Sequence, residues 1–284
     1  MEKSMKNQEN LKPLYEFDLE KARVRLSAGN EKIGMMLNWS TLPGDADHML
    51  IAKGNLITSV PGTCSCNCDG CFKSCYARRS ILQHHNSVTR SWAENTLMIR
   101  HNMKECFRQI DEEIMRYNKK FFETGDPAEI KFKFFRINVA GELESLEELE
   151  AWNDLAIKHS YMSFGTYSKN SEVLLKFFEK HGQTAPNFTI NISQWHHVMD
   201  DTIEKLHKLG AKFNVFEYDD SNLVHNDLSE EDKNHLNKLP HCPAVGPTQA
   251  NRHPVNPKTG KAWHCDECRG CYTKTGTHRC VYSH

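Results

Sequence analysis

Between Lys131 and Tyr218 the chain alternates strand-like and helix-like runs, and the strand-like runs are apolar on one face only. In Phe188-Thr189-Ile190-Asn191-Ile192-Ser193, Phe188, Ile190 and Ile192 fall on one side and Thr189, Asn191 and Ser193 on the other. The run from Lys131 to Val139 repeats this, with Phe135, Ile137 and Val139 opposite Arg136, Asn138 and Ala140. Ser163, Gly165, Tyr167 and Lys169 come close to doing so. A doubly wound sheet buries both faces and favours continuous apolar runs, so the polar faces predict an α/β fold that is an incomplete (β/α) barrel around a wet cavity. Strands are expected at 131–139, 161–167, 188–193 and 212–218. Helices are expected after Ser145, whose partner Glu148 makes a capping-box pattern, over 171–181, and over 200–209 before Gly210. No Gly-x-Gly-x-x-Gly or Walker run supports a nucleotide fold.

The eleven cysteines are unevenly placed. Cys64, Cys66, Cys68, Cys71 and Cys75 crowd one stretch, Cys242, Cys265, Cys268, Cys271 and Cys280 lie near the C-terminus, and Cys106 stands alone as a small core residue. Lysine plus arginine nearly balance the acids, for a net charge of −1, so no whole-chain field favours nucleic acid or membrane. No apolar run is long enough to span a bilayer and the N-terminus lacks a signal core, so a cytoplasmic protein is expected. A reducing cytosol leaves such thiols to bind metal.

A strand over 54–60 ending at Pro61-Gly62 is expected to deliver the first group in a loop at 61–77. Cys64, Cys68 and Cys71 stand at C-x3-C-x2-C, which lets one tight loop give three thiolates to a [4Fe–4S] cluster and leave one iron open. Cys66 and Cys75 are further candidates; were Cys75 to close the coordination, the cluster would only carry electrons. Zinc needs four ligands, which Cys68 and Cys71 begin to supply. The second group, Cys242-Pro243 with Cys265, Cys268 and Cys271, has the spacing of a ferredoxin-type [4Fe–4S] loop, with Cys280, His264 and His278 as alternative ligands and zinc as the alternative metal.

The expected organisation is a disordered tail at 1–12, the partial barrel at 13–218, a polar surface insertion at 219–240 and a cysteine-rich appendage at 241–284. One long helix is expected from Ser87 or Ser91 to about Phe121. His84-His85 and His196-His197 are poor metal sites because adjacent side chains point apart. Arg136, Asn138, Tyr167, Lys169, Asn191, Ser193 and Glu217 are candidates to line the cavity.

The first cysteine spacing resembles the cluster motif of radical S-adenosylmethionine enzymes. Gly141-Glu142, ending the expected second strand, is similar to the glycine-glutamate motif that meets the methionine amino group in their half-barrels. The stretch Cys64 to Ala77, Arg136 to Glu142 followed by Glu150-Ala151-Trp152-Asn153, Thr166 to Asn170, and the closing Cys265, Cys268, Cys271 triplet resemble the phage gene product eighty-eight family, over roughly residues 55–275. The resemblance implies a radical-SAM-like architecture with cysteine-bound clusters and supplies no reaction. Glu142 stands where that family often has aspartate, and if its pattern governs, Cys75 replaces Cys71 as third ligand.

The resulting expectation is an iron–sulfur protein with two [4Fe–4S] clusters and S-adenosylmethionine as cofactor. Glu142 would meet its amino group, Asn191, Ser193 and Arg136 its ribose or carboxylate, and Gly141, Asn138, Tyr167 and Lys169 would complete the pocket. An electron donor is implied, and a nucleotide or nucleic-acid substrate is suggested by association alone. The rivals are a zinc-stabilised nucleic-acid-binding protein with Arg269, Lys274 and Arg279 facing phosphates, and a two-cluster electron carrier that binds no S-adenosylmethionine.

Overall fold

The structure is a computed structural model describing residues 21–29, 33–44, 50–52, 55–58, 60–66, 69–77, 85–219, 228–246 and 254–282. The expected tail at 1–12, Cys68 and residues 220–227 of the expected insertion lie outside the described residues.

Eight strands are described. They are β1 (Leu37–Asn38), β2 (Leu50–Ala52), β3 (Asn55–Thr58), β4 (Phe134–Ile137), β5 (Ser163–Ser168), β6 (Phe188–Gln194), β7 (Asn214–Asp219) and β8 (His278–Tyr282). β2 and β3 form an antiparallel hairpin. The other six make one open sheet, every pair parallel, in the order β1-β4-β5-β6-β7-β8.

Because that order never reverses, crossovers of one hand place their helices on one face. α5 (Leu146–Lys158), α6 (Ser171–His181) and α7 (Asp200–Lys208) pack there side by side. Phe135, Ile137, Phe164, Ile190 and Ile192 point into this layer and meet Leu149, Trp152, Leu174 and Phe177. Trp152 packs edge-on to Trp39 and Phe107 and tilted against Phe135. Ser145 caps α5 as expected, accepting from Glu148 N at 3.1 Å, while the Glu148 carboxylate reaches back to Glu144 N at 2.8 Å.

Two sequence expectations need correction. The strand placed at 54–60 is not the first of the parallel sheet: β3 belongs to the hairpin, and β1 lies beside β4, its pairing extended as Trp39 N donates to Arg136 O and Val139 N to Trp39 O. A two-residue strand carries no period to read. The long helix is three: α2 (His85–His101), α3 (Met103–Tyr117) and α4 (Lys119–Thr124). Asn102 breaks it by capping α3 through Glu105 N. Asn118 breaks it again by turning its buried amide onto both backbone groups of Phe132, at 2.9 and 3.2 Å. Such side chains compete with helical hydrogen bonding.

The C-terminal segment does not stand apart from the sheet. β8 is its sixth strand, and α9 (Cys265–Cys268) with the turn Gly270–Tyr272 leads onto its polar face. Asn191 Nδ2 donates to Cys271 O at 3.0 Å, and Asn214 Nδ2 to Thr273 O at 3.0 Å and Asn191 Oδ1 at 3.0 Å. Gly165 permits the approach: a Cβ there would lie 2.9 Å from Cys271 O and 2.9 Å from the Tyr272 ring.

Candidate metal and cofactor site

The polar faces predicted from sequence meet at the C-terminal ends of the strands, where loops gather. The register sets Arg136 beside Gly165 and Tyr167 beside Asn191, so alternate residues of β4, β5 and β6 share the face opposite the helices. Above them lies a cavity of about 380 Å³, within the usual range for a small-molecule site. Both cysteine groups reach it: Cys64, Cys71 and Cys75 from one side and Cys242, Cys265 and Cys271 from the other.

The first group enters on a braced turn. Arg100, at the end of α2, donates to Pro61 O at 2.7 Å and Gly62 O at 2.9 Å while Glu144 holds it through both oxygens. Thr63 N donates to Leu42 O and Cys64 N to Gly44 O. α1 (Asp69–Ser74) follows, carrying Cys71 within it and Cys75 on the residue just past its end. Cys66 lies in a separate groove with Glu144 and Lys176. Tyr76 donates its hydroxyl to Val139 O, tying this loop to the end of β4.

Gly141 and Glu142 are packed tightly where that strand ends. Gly141 has φ +88°, and a Cβ would collide with Thr41 Oγ1 and Thr63 Oγ1, so only glycine fits. The buried Glu142 carboxylate accepts from Leu143 N at 2.9 Å and Lys169 N at 2.9 Å, joining the ends of β4 and β5. Lys169 Nζ donates to Cys71 Sγ at 3.2 Å. Burial works against the charge on Lys169, but Cys71, Glu142 and Cys64 outweigh it and hold its pKa above the ordinary lysine value. Burial, aided by Glu142, pushes the Cys64 thiol up to about 12. Burial and the neighbouring Cys265 do the same to Cys271, whose Sγ lies 2.8 Å from the Tyr167 hydroxyl. Such thiols keep their protons at neutral pH until a metal displaces them.

Asn138 is the sharpest polar feature of the cavity. It is 4% exposed, sits at φ +49°, and neither its amide nitrogen nor its amide oxygen has a hydrogen-bond partner. A buried amide left without partners costs free energy that a bound group can recover. Arg136 Nε is likewise unpartnered, its guanidinium stacked 4.1 Å over the Tyr167 ring.

Among the sequence candidates, Gly141, Glu142, Arg136, Asn138, Tyr167, Lys169 and Ser193 line this cavity. Asn191 is buried below it, bracing the C-terminal segment, and Cys268 lies on α9 outside the lining. Glu217 was expected inside and is not: on β7, Phe216 and Tyr218 belong to the cavity side, and Glu217 turns the other way to meet His235 and His278. Trp195 and Tyr218, stacked at 4.5 Å, form a wall the sequence reading missed. The alternation running past Ser193 to Trp195 was the signal for it. Of the three cations proposed to face phosphates, Lys274 instead donates to Thr184 O at 2.9 Å and Ala185 O at 2.5 Å.

None of the ten described cysteines is in a disulfide. No helix among the described residues is long and apolar enough to cross a membrane. A family model described as Gene product 88 matches residues 18–274. No curated protein and no solved structure matches the chain.

Proposed function

The chain belongs to the Gene product 88 family, and on that footing we propose that it is a cytoplasmic, radical-SAM-like iron–sulfur enzyme acting on an unidentified, nucleotide-like substrate. The observation that carries this is one cavity, at the C-terminal ends of a strictly sequential parallel sheet, walled by cysteines from both ends of the chain. An unreversed order of parallel strands is the order of an opened (β/α) barrel.

The donor set fits the proposed groups. Soft thiolates suit iron–sulfur clusters, and Cys64 with Cys71 and Cys75 offers them on one side while Cys242, Cys265 and Cys271 offer them on the other. Zinc fits less well: a tetrahedral ion draws its sulfurs to roughly 3.8 Å of one another, and among the described residues no three thiols lie within 4.8 Å. A three-thiolate cluster would supply the electron for reductive cleavage of S-adenosylmethionine.

The protein's own groups have distinct parts. Lys169 places a positive charge against Cys71. Glu142 fixes two strand ends while presenting its carboxylate to the cavity. Asn138 offers one donor and one acceptor, and Arg136 a further donor, to the carboxylate or hydroxyls of a bound ligand. The Trp195–Tyr218 stack gives a flat wall on which a purine can lie.

Anaerobic purification tests the metal: iron and sulfide with broad visible absorption support the reading, and colourless protein with stoichiometric zinc refutes it. Reduction with S-adenosylmethionine present tests the enzyme. Release of 5′-deoxyadenosine supports it; intact S-adenosylmethionine beside a four-cysteine first cluster leaves an electron carrier.

A further inference from the structure

Glu217, His235 and His278 come from three elements and converge on the helix-covered side of the sheet, away from every cysteine in the cavity. In the β7–β8 register Val215 is beside His278 and Glu217 beside Cys280, so Glu217 and His278 share a face two positions apart. His235 arrives from the last turn of α8 (Glu230–Leu236), which is fixed by the Ser229–Asp232 capping box and by Leu236 packing against Leu228 and Cys280. Both imidazoles turn Nε2 to the one carboxylate, His235 at 3.2 Å. One ligand atom from each residue lies within 4.8 Å of the others.

We propose that these three residues form a site for a first-row divalent transition-metal ion, separate from the cysteine centres. Two nitrogens and one carboxylate are the donor set of open zinc and non-haem iron sites. Metal bonds of about 2.0–2.2 Å set neighbouring donors roughly 3.3 Å apart, close to the spacing His235 and Glu217 already have. With neutral imidazoles the three groups carry a charge of −1, and at present the carboxylate draws in two N–H groups that a cation replaces. Glu217 is the anchored ligand, its side chain 13% exposed, while His235 and His278 are 47% and 43% exposed. The ion therefore keeps an open side for water or an exchangeable ligand. Asp232, one turn before His235, accepts from His197 Nε2 at 3.0 Å and places a second carboxylate beside the opening. Since His278 begins β8, a bound ion also clasps the last strand to β7 and α8.

Zinc(II) is the probe, added to the full chain as purified, with imidazole-nitrogen NMR reading each histidine separately from metal at the cysteines. The expected result is that Nε2 of His235 and His278 both move to metal-bound shifts. Glu217→Gln, which keeps the side chain's shape, should weaken this response about tenfold or more. The Cys265→Ser/Cys268→Ser double variant should leave it intact, separating this site from the cluster reading. Unmoved Nε2 signals in the wild-type chain at millimolar zinc overturn the proposal, as does a response in a folded Glu217→Gln variant equal to wild type.

Discussion

Gly165→Ala is the sharpest test of how the C-terminal cysteines are seated. The added Cβ would lie 2.9 Å from a backbone oxygen, Cys271 O, and 2.9 to 3.0 Å from two atoms of the Tyr272 ring. The ring is confined by Phe134 at 5.1 Å and by the Tyr272 hydroxyl's bond to Met36 Sδ, so neither neighbour yields freely. Overpacking of this kind costs about 1–3 kcal/mol. If the turn lifts to relieve it, Asn191 Nδ2 loses Cys271 O and keeps only Thr166 O at 2.9 Å, a further loss of about 1 kcal/mol. The sum, roughly 3 kcal/mol, against a urea dependence of about 3 kcal/mol per molar, predicts a midpoint lower by about 1 M with unchanged slope. Metal bound by the C-terminal group should fall while that of the Cys64 group persists. A Gly165→Ala chain with the wild-type midpoint and full metal content would show that the segment does not rest on β5.

Other perturbations separate scaffold from site. Arg100→Ala frees the turn at Pro61 and Gly62 and should lower metal retention at the Cys64 group, measured as iron per chain after desalting. Asn138→Gly suits the left-handed backbone and removes two unpartnered buried atoms; stability should hold within about 1 kcal/mol while ligand affinity falls. Lost stability with unchanged ligand binding would contradict that role. Burial pushes Glu148 up to about 8 from an ordinary 4.5. The folded chain therefore binds this proton more tightly than the unfolded one, so the contribution of Glu148 to stability is fully present below about 4.5 and is lost as pH rises toward 8. The gap corresponds to roughly 5 kcal/mol at most, and Glu148→Gln should flatten that part of a urea-midpoint profile.

What the sequence could show depended on whether a residue's partner lay nearby in the chain. The faces of β4 and β6 were legible because Phe135 and Ile137, or Ile190 and Ile192, alternate with polar neighbours and pack on helices immediately following. The Ser145 cap was legible for the same reason. β7 misled because its cavity-side residues, Phe216 and Tyr218, are aromatic and its polar Glu217 serves partners on α8 and β8, so the rule that polar means inward inverted there. The expectation that α8 belonged to a surface insertion hid His235 as one of those partners. The seat of the C-terminal turn was illegible because it rests on Asn191 and Asn214 bonding to residues far along the chain.

The unreversed strand order also fixes when the cavity comes into being. A ribosome delivers β1 through β7 with the Cys64 group before it delivers Cys265, Cys271 or β8. Until residues 265–282 follow, the sheet's polar side lacks the turn that Asn191 and Asn214 grip, and Cys64, Cys71 and Cys75 line an open trough rather than a cavity. The chamber is therefore assembled late and in one move: only when the Gly270–Tyr272 turn settles on Asn191 and Asn214 do the two cysteine groups come to face each other across it.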